Sequence, residues 1–113
     1  MSKEVIETVE QFEDILTRHE KFLFLKNSLT CPISHAAFEE FEHFTEDYQD
    51  IPSYYLNVQD ARQLSNYISE TIGIKHESPQ VFLFKSKEVV WSASHWKITF
   101  DALSKEMKKT NEI

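Results

Sequence analysis

The segment Thr30–Ser34, with the sequence TCPIS, contains the only cysteine of this 113-residue chain. Proline is favoured at the first position of a helix, so Pro32 predicts that a helix begins there and that Cys31 is its N-cap residue. The unpaired amide groups of the first turn and the positive end of the helix dipole would then favour a thiolate over a thiol. Because the thiolate is the nucleophilic form of cysteine, this spacing predicts a reactive sulfur.

The alternative for Cys31 is a buried and inert residue, since free cysteines are among the most buried residue types. Its position argues for reactivity. It follows the apolar run Phe22–Leu25, and open α/β sheets place their ligands at the carboxyl ends of strands. The Ser34 hydroxyl could donate a hydrogen bond to a thiolate but cannot form a disulfide. The residues predicted to support the site are those flanking the cysteine: Thr30, Pro32, Ile33 and Ser34.

Charge and composition exclude several classes of function. The formal net charge is −7, whereas a nucleic-acid binder normally shows a basic patch. The same acidity argues against an anionic membrane surface. The single glycine, Gly73, excludes Gly-rich phosphate loops and the dinucleotide-binding fingerprint. A single cysteine excludes an internal disulfide. We therefore expect no bound cofactor, no nucleic-acid partner and no membrane partner.

Length and hydrophobicity predict one domain, residues 1–113, because 41% of the residues are hydrophobic and 13% are aromatic. No apolar signal segment follows Met1, and no stretch approaches the ~18 apolar residues of a membrane-spanning helix. We therefore expect a cytoplasmic protein.

The hydrophobic pattern predicts the order β-α-β-α-β-α-β-β-α. The predicted strands are Glu4–Glu7, Phe22–Leu25, Ser53–Val58, Val81–Phe84 and Glu88–Trp91. The predicted helices are one that buries Val9, Phe12, Ile15 and Leu16, one from Pro32 to about Tyr48, one over Ala61–Ile72, and a last one capped by Thr99. Gly73 is predicted to be the left-handed cap that ends the third helix. Three side chains are expected to pack the last helix onto the sheet: Trp91, His95 and Trp96.

This order predicts an α/β fold. The alternating part implies right-handed crossovers between parallel strands. The final hairpin adds two antiparallel strands at one edge. The result is a mixed central sheet of about five strands with helices on both faces.

The order of elements, a Cys-x-x-Ser at the start of the second helix, and Ser78-Pro79 before the hairpin together resemble the thioredoxin-like fold. Over nearly its whole length, the chain is similar to the monothiol bacilliredoxin (YtxJ-like) family. The stretches that carry this resemblance are FLFLKNSLTCPIS, YYLNVQDARQLSNYI and GIKHESPQVFLF.

The resemblance implies that Cys31 is the nucleophile and that Pro79 is a cis-proline facing it. The main chain of Ser78 would then pair with an extended substrate segment. Two departures argue against a general thioredoxin role. Dithiol thioredoxins have a second cysteine where this chain has Ser34, and a buried acid where it has Leu25.

The function implied by the resemblance is that of a monothiol thiol-disulfide oxidoreductase. It would remove bacillithiol from S-bacillithiolated proteins through a mixed disulfide at Cys31. Bacillithiol would be a co-substrate, and a bacillithiol disulfide reductase is an expected partner. Two alternatives stay open. One is a stress-response interaction module or redox sensor whose Cys31 is modified without turnover. The other is glutathione-dependent, glutaredoxin-like exchange.

Three further residues are candidates for the site. Lys26 could support the thiolate electrostatically, although a solvated lysine is the more ordinary interpretation. His35 lies four residues after Cys31 and could form a metal pair or act as an activating base, but zinc would need further ligands, and we expect no metal site. His76, in KHESPQ, could contact substrate or handle a proton, or could be a surface histidine.

Overall fold

The chain alternates strands and helices in the predicted order, with one short 3₁₀ helix added before the last α-helix. The computed structural model describes residues 3–111. Its strands are β1 (Lys3–Val5), β2 (Lys21–Asn27), β3 (Ser53–Asn57), β4 (Gln80–Lys85) and β5 (Glu88–Ser94). Its α-helices are α1 (Val9–Arg18), α2 (Pro32–Asp47), α3 (Arg62–Ile72) and α4 (Phe100–Asn111), and the 3₁₀ helix is His95–Lys97.

The five strands form one mixed sheet in the order β1-β3-β2-β4-β5. β3 is parallel to both β1 and β2. β4 is antiparallel to β2 and to β5. The predicted mixed sheet, with an antiparallel hairpin at one edge, is therefore confirmed. No helix within residues 3–111 is long and apolar enough to cross a membrane.

The sequence of β2 is apolar at successive positions because this central strand is buried on both faces of the sheet. Side chains alternate between the two faces of a strand. Phe22 and Phe24 belong to a core cluster that includes residues of α1 and α3. Leu23 and Leu25 belong to a second cluster with residues of α2 and α4. Helices therefore cover both faces of the sheet, as predicted, and each face has its own core.

The first strand is shorter and begins earlier than the predicted Glu4–Glu7. It is Lys3–Val5, because Thr8 is already the N-cap of α1. The Thr8 hydroxyl accepts a hydrogen bond from the amide of Gln11, and the Gln11 side chain accepts from the amide of Thr8. This capping box fixes the start of the helix and leaves only a short strand before it.

The last strand is longer than predicted, since β5 continues to Ser94. The 3₁₀ helix follows at once, and His95 has a positive φ of 55°. The prediction that Trp96 packs the last helix onto the sheet is wrong, because 70% of this residue is exposed. Trp91 does pack against the second core cluster.

The turns follow their local chemistry. The hairpin between β4 and β5 has a two-residue link, Ser86 and Lys87, with φ values of 53° and 68°. Two positive φ values in such a link match the right-handed twist of the strands. Gly73 ends α3 in the left-handed conformation, with φ 71°, and its amide donates to the carbonyl of Ser69. The predicted C-cap is confirmed.

Replacing Gly73 tests the backbone requirement alone, because a Cβ at this position would meet no atom within 4 Å. We expect Gly73→Ala to lower the free energy of unfolding by about 1 kcal/mol, since alanine tolerates positive φ poorly. Gly73→Asn should cost less, because asparagine visits this region more readily. Urea unfolding measures both. An alanine variant as stable as the wild type would contradict the assignment.

Candidate active site

The topology brings two separate segments to one edge of the sheet. β2 ends at Asn27, and Cys31 follows as the N-cap of α2, with φ −102° and ψ 122°. β4 runs antiparallel to β2 and begins at Gln80, whose Cα partner is Lys26. The C-terminal end of β2 and the N-terminal end of β4 therefore lie side by side, so the segment that follows β2 and the segment that precedes β4 emerge together. One carries Cys31 and the other carries Pro79.

The environment of Cys31 favours its thiolate. The residue is partly exposed, and within residues 3–111 its sulfur makes no capping hydrogen bond. Its pKa is nevertheless lowered from its ordinary value. The amide of Ser34 has the largest effect and the amide of Ile33 adds to it, while burial opposes them. The start of α2 thus acts on the sulfur as the sequence predicts.

Ser34 lies where a dithiol site would need its second sulfur. The residue is fully buried, and its Oγ has no hydrogen-bond partner within residues 3–111. The hydroxyl also contributes to the lowered pKa of Cys31. It is therefore available to donate to the thiolate, and it offers no route to an internal disulfide.

The Ser78–Pro79 peptide bond is cis, which confirms the expected cis geometry of Pro79. The carbonyl of Pro79 accepts a hydrogen bond of 3.0 Å from the amide of His95. Within residues 3–111, no hydrogen bond involves the main chain of Ser78, and its buried Oγ has no partner either. The loop therefore leaves the main-chain groups of Ser78 available for pairing.

The location of Lys26 differs from the prediction of a solvated lysine after the strand. The residue is neither solvated nor placed after the strand, because it lies within β2 and has no exposed surface. Its Nζ donates to the Ser65 carbonyl at 2.9 Å and to Ser69 Oγ at 2.7 Å. It also lies 3.2 Å from His76 Nδ1. The ammonium group therefore points toward α3 and the following loop, and not toward Cys31.

Burial lowers the pKa of Lys26 from 10.5 to about 8. The neighbouring His76 is exposed overall, but its Nδ1 faces Lys26. Partial burial of the ring lowers the pKa of His76, and the positive charge of Lys26 lowers it further. Burial and the charge of Lys26 therefore both favour the neutral form of His76.

His35 lies in the first turn of α2, and its side chain is 81% exposed. Its Nε2 is 3.5 Å from Glu39 Oε1, which directs the ring along the helix surface. Within residues 3–111, no group of three or more His, Cys, Asp or Glu side chains is arranged to hold a metal ion.

Gln80 supports the loop of the candidate site and is a residue that the sequence pattern did not single out. It is only 3% exposed. Its Nε2 donates to the Lys75 carbonyl at 3.0 Å, and its Oε1 accepts from the Glu77 amide at 3.2 Å. The sequence feature that could have indicated Gln80 is a polar residue between Pro79 and the apolar run VFLF.

A groove of about 320 Å³ lies beside the first turns of α2. Its walls come from α2 and from the 3₁₀ segment, and include Ile33, Ala36, His95 and Trp96. A larger cavity of about 460 Å³ opens on the other face of the sheet, between α1, α3 and the hairpin. Neither lining includes Cys31 or Pro79. The smaller groove adjoins the candidate site, because Ile33 lies in the first turn of α2 after Cys31 and the amide of His95 donates to the Pro79 carbonyl.

The contribution of the Ser34 hydroxyl can be separated from that of its amide. We expect Ser34→Ala to raise the pKa of Cys31 only in part, because the amide, which has the larger effect, is retained. The pH dependence of iodoacetamide alkylation measures the thiol pKa. Ser104→Ala, which removes another buried unpaired hydroxyl, in α4, is the control. A wild-type thiol pKa at or above the ordinary cysteine value would contradict the assignment.

The buried charge of Lys26 predicts a pH-dependent stability. Between pH 8 and 10.5 the unfolded chain binds more protons than the folded chain, so the free energy of unfolding rises with pH across this window. The pKa shift corresponds to about 3 kcal/mol. We expect Lys26→Met to be more stable than wild type at pH 7, with the difference shrinking toward pH 10.5.

Guanidinium unfolding at several pH values measures this difference. Lys97→Met, which removes an exposed lysine, is the matched control and should show little change. A difference between Lys26→Met and wild type that stays constant from pH 7 to pH 10.5 would refute the burial argument.

Comparison with known proteins agrees with this geometry. The sequence profile of the family Monothiol bacilliredoxin BrxC matches residues 4–103 of the chain. A solved structure described as a candidate oxidoreductase with a thioredoxin fold is 37% identical to it, with 94% of each chain covered and a TM-score of 0.88.

Two more distant structures share the fold. Poplar thioredoxin h is 16% identical, with 100% of this chain and 99% of the other covered and a TM-score of 0.79. A thioredoxin variant from Halobacterium salinarum is 14% identical, with 99% and 93% covered and a TM-score of 0.79. From the family match and the 37% identical structure together, the chain belongs to the monothiol bacilliredoxin family and has a thioredoxin-like fold.

Proposed function

We propose that this chain is a thiol-disulfide oxidoreductase that removes bacillithiol from S-bacillithiolated proteins. Family membership and the thioredoxin-like fold support a thiol redox function. The observation that carries the finer proposal is the pairing of Cys31 with Ser34. A partly exposed sulfur with a lowered pKa begins α2, and a buried hydroxyl stands where a second sulfur would be needed.

In the first step, the Cys31 thiolate attacks the bacillithiol sulfur of a protein–bacillithiol mixed disulfide. The new bond joins Cys31 Sγ to that sulfur, and the old sulfur–sulfur bond breaks. The protein thiolate leaves with the electron pair and takes a proton from solvent. The helix start lowers the pKa of Cys31, so more of the enzyme is in the attacking form at neutral pH.

In the second step, a free bacillithiol thiolate attacks the bacillithiol sulfur held on Cys31. The Cys31 thiolate leaves, and the product is the disulfide of two bacillithiol molecules. Bacillithiol is thus a co-substrate and not a bound cofactor. The disulfide must be reduced elsewhere, for which a bacillithiol disulfide reductase is the expected partner. A reducing compartment such as the cytoplasm suits this cycle.

The geometry also supports a way to hold the substrate. The main chain of Ser78, which makes no hydrogen bond within residues 3–111, can pair with an extended segment of the modified protein by main-chain hydrogen bonding. The groove beside Ile33 and Trp96 can accept a neighbouring apolar group. Such contacts would bring the mixed disulfide to Cys31 without a bound cofactor.

Intact mass spectrometry tests the proposal. We expect oxidised bacillithiol to add one bacillithiol to the chain at Cys31, and excess reduced bacillithiol to remove it. In catalytic amount, the protein should then restore the free thiol of an S-bacillithiolated substrate. The same series with glutathione should be slower. An adduct that forms once and never cycles would instead identify a redox sensor and refute the enzyme.

Two variants sharpen this experiment. Cys31→Ser should form no adduct and restore no substrate. Ser34→Cys places a second sulfur one helical turn from the first, so it should expel bacillithiol and accumulate an internal disulfide. A Cys31→Ser protein that still removed bacillithiol would rule out the mechanism.

A further inference from the structure

Lys26 is a charged side chain with no exposed surface in the central strand of the sheet. A lysine ammonium has three hydrogens to donate and accepts none. Three acceptors surround its Nζ, namely the Ser65 carbonyl, Ser69 Oγ and His76 Nδ1. The donors are therefore used completely, as a buried charge requires.

The three acceptors belong to two different parts of the chain. Ser65 and Ser69 are one turn apart on α3, whereas His76 lies in the loop of residues 74–79 that leads from Gly73 to β4. Because an ammonium group cannot accept, His76 Nδ1 must be the acceptor, and the ring proton then resides on Nε2. Ser65 Oγ lies 3.3 Å from the same Nδ1. Lys26 thus ties the loop to both β2 and α3.

Neighbouring residues of this loop are held as well. The Lys75 carbonyl and the Glu77 amide bind the side chain of Gln80. The Glu77 carboxylate accepts from Ser94 Oγ at 2.9 Å. Lys26 and Gln80 are Cα partners across β2 and β4. Two adjacent buried side chains therefore fix residues 75–77, immediately before the cis bond at Pro79.

We propose that Lys26 is a positioning residue for thiol exchange: by binding His76, it holds the loop of residues 74–79 so that Ser78 presents its main chain to the substrate beside Cys31. This deepens the proposed function and rests on it. Lys26 does not act on the reacting sulfur, because all three of its hydrogen bonds lie on the α3 side of the sheet.

Stability alone does not explain this lysine. A buried charge is costly, and an apolar side chain of similar length would avoid its desolvation. If Lys26 had no role in thiol exchange, Lys26→Met would fold at least as well as the wild type and exchange normally. The positioning role predicts that Lys26→Met folds at least as well and exchanges poorly.

The experiment uses Lys26→Met, His76→Leu, His76→Asn and the double variant Lys26→Met/His76→Leu. His43→Leu, at an exposed histidine of α2, is the matched control. For each full-length protein, kcat and KM are measured with an S-bacillithiolated protein. Iodoacetamide alkylation reports on Cys31, and thermal unfolding reports on the fold.

We expect Lys26→Met and His76→Leu each to lower kcat/KM about tenfold, mainly through KM, with alkylation of Cys31 unchanged. His76→Asn should recover most of the loss, because its side-chain oxygen restores an acceptor close to the position of Nδ1. The double variant should be no worse than either single variant, since the pair acts as a unit. Wild-type kcat/KM in a folded Lys26→Met protein would overturn the proposal, as would slower alkylation of Cys31.

A second readout does not depend on bacillithiol. Nitrogen-15 NMR should show His76 unprotonated at Nδ1 in the wild type. Hydrogen exchange at the Glu77 amide should be about tenfold faster in Lys26→Met. If the wild type fails to exchange bacillithiol but these loop signatures appear, the proposed function fails while the loop anchor stands. If the loop is unchanged in Lys26→Met, the positioning role fails whatever the wild type exchanges.

Discussion

The antiparallel pairing of β2 with β4 is the constraint on which the site depends. It sets Lys26 opposite Gln80, so the chain leaves β2 toward Cys31 at the edge where it enters β4 from Pro79. β2 is also paired with β3 on its other side and covered on both faces. A strand buried in this way cannot slip by one residue without exchanging its two cores. The relative placement of Cys31 and Pro79 therefore follows from a well-specified register.

The two faces of the sheet contribute differently to the site. On one face, Leu25 packs beneath α2, and the start of that helix acts on the sulfur of Cys31. On the other face, Lys26 reaches α3 and His76. The neighbouring residues Leu25 and Lys26 thus contact different helices, because side chains alternate between the two faces of a strand. The lowered pKa of Cys31 therefore comes from α2, whereas the loop before Pro79 is joined to α3 through Lys26.

Much of this arrangement could be predicted from sequence, because it is encoded locally. Hydrophobic periodicity predicted the order of elements, Gly73 predicted the end of α3, and Pro32 predicted the start of α2. The cis bond at Pro79 was predicted from the family resemblance and not from the local sequence.

Lys26 could not be predicted in the same way. Its acceptors lie 39 to 50 residues further along the chain, and a lysine after an apolar run is typical of a strand end. The prediction that Trp96 packs onto the sheet was wrong for the opposite reason. Its aromatic side chain indicates a core, but the 3₁₀ turn that begins at His95 leaves it exposed.

Two polar groups of the candidate site have no hydrogen-bond partner within residues 3–111, namely the Oγ of Ser34 and the main chain of Ser78. Ser34 Oγ is buried, and an unsatisfied buried polar group costs about 1–3 kcal/mol. It gains an acceptor when Cys31 ionises. In the proposed function, the main chain of Ser78 would gain partners when an extended substrate binds. Both missing hydrogen bonds would then form only in states on the proposed reaction path, so these groups would favour the thiolate and the bound substrate over the resting protein. The absence of a second sulfur is consistent with the proposed cycle, in which the Ser34 hydroxyl would stabilise the attacking thiolate but could not displace bacillithiol from Cys31.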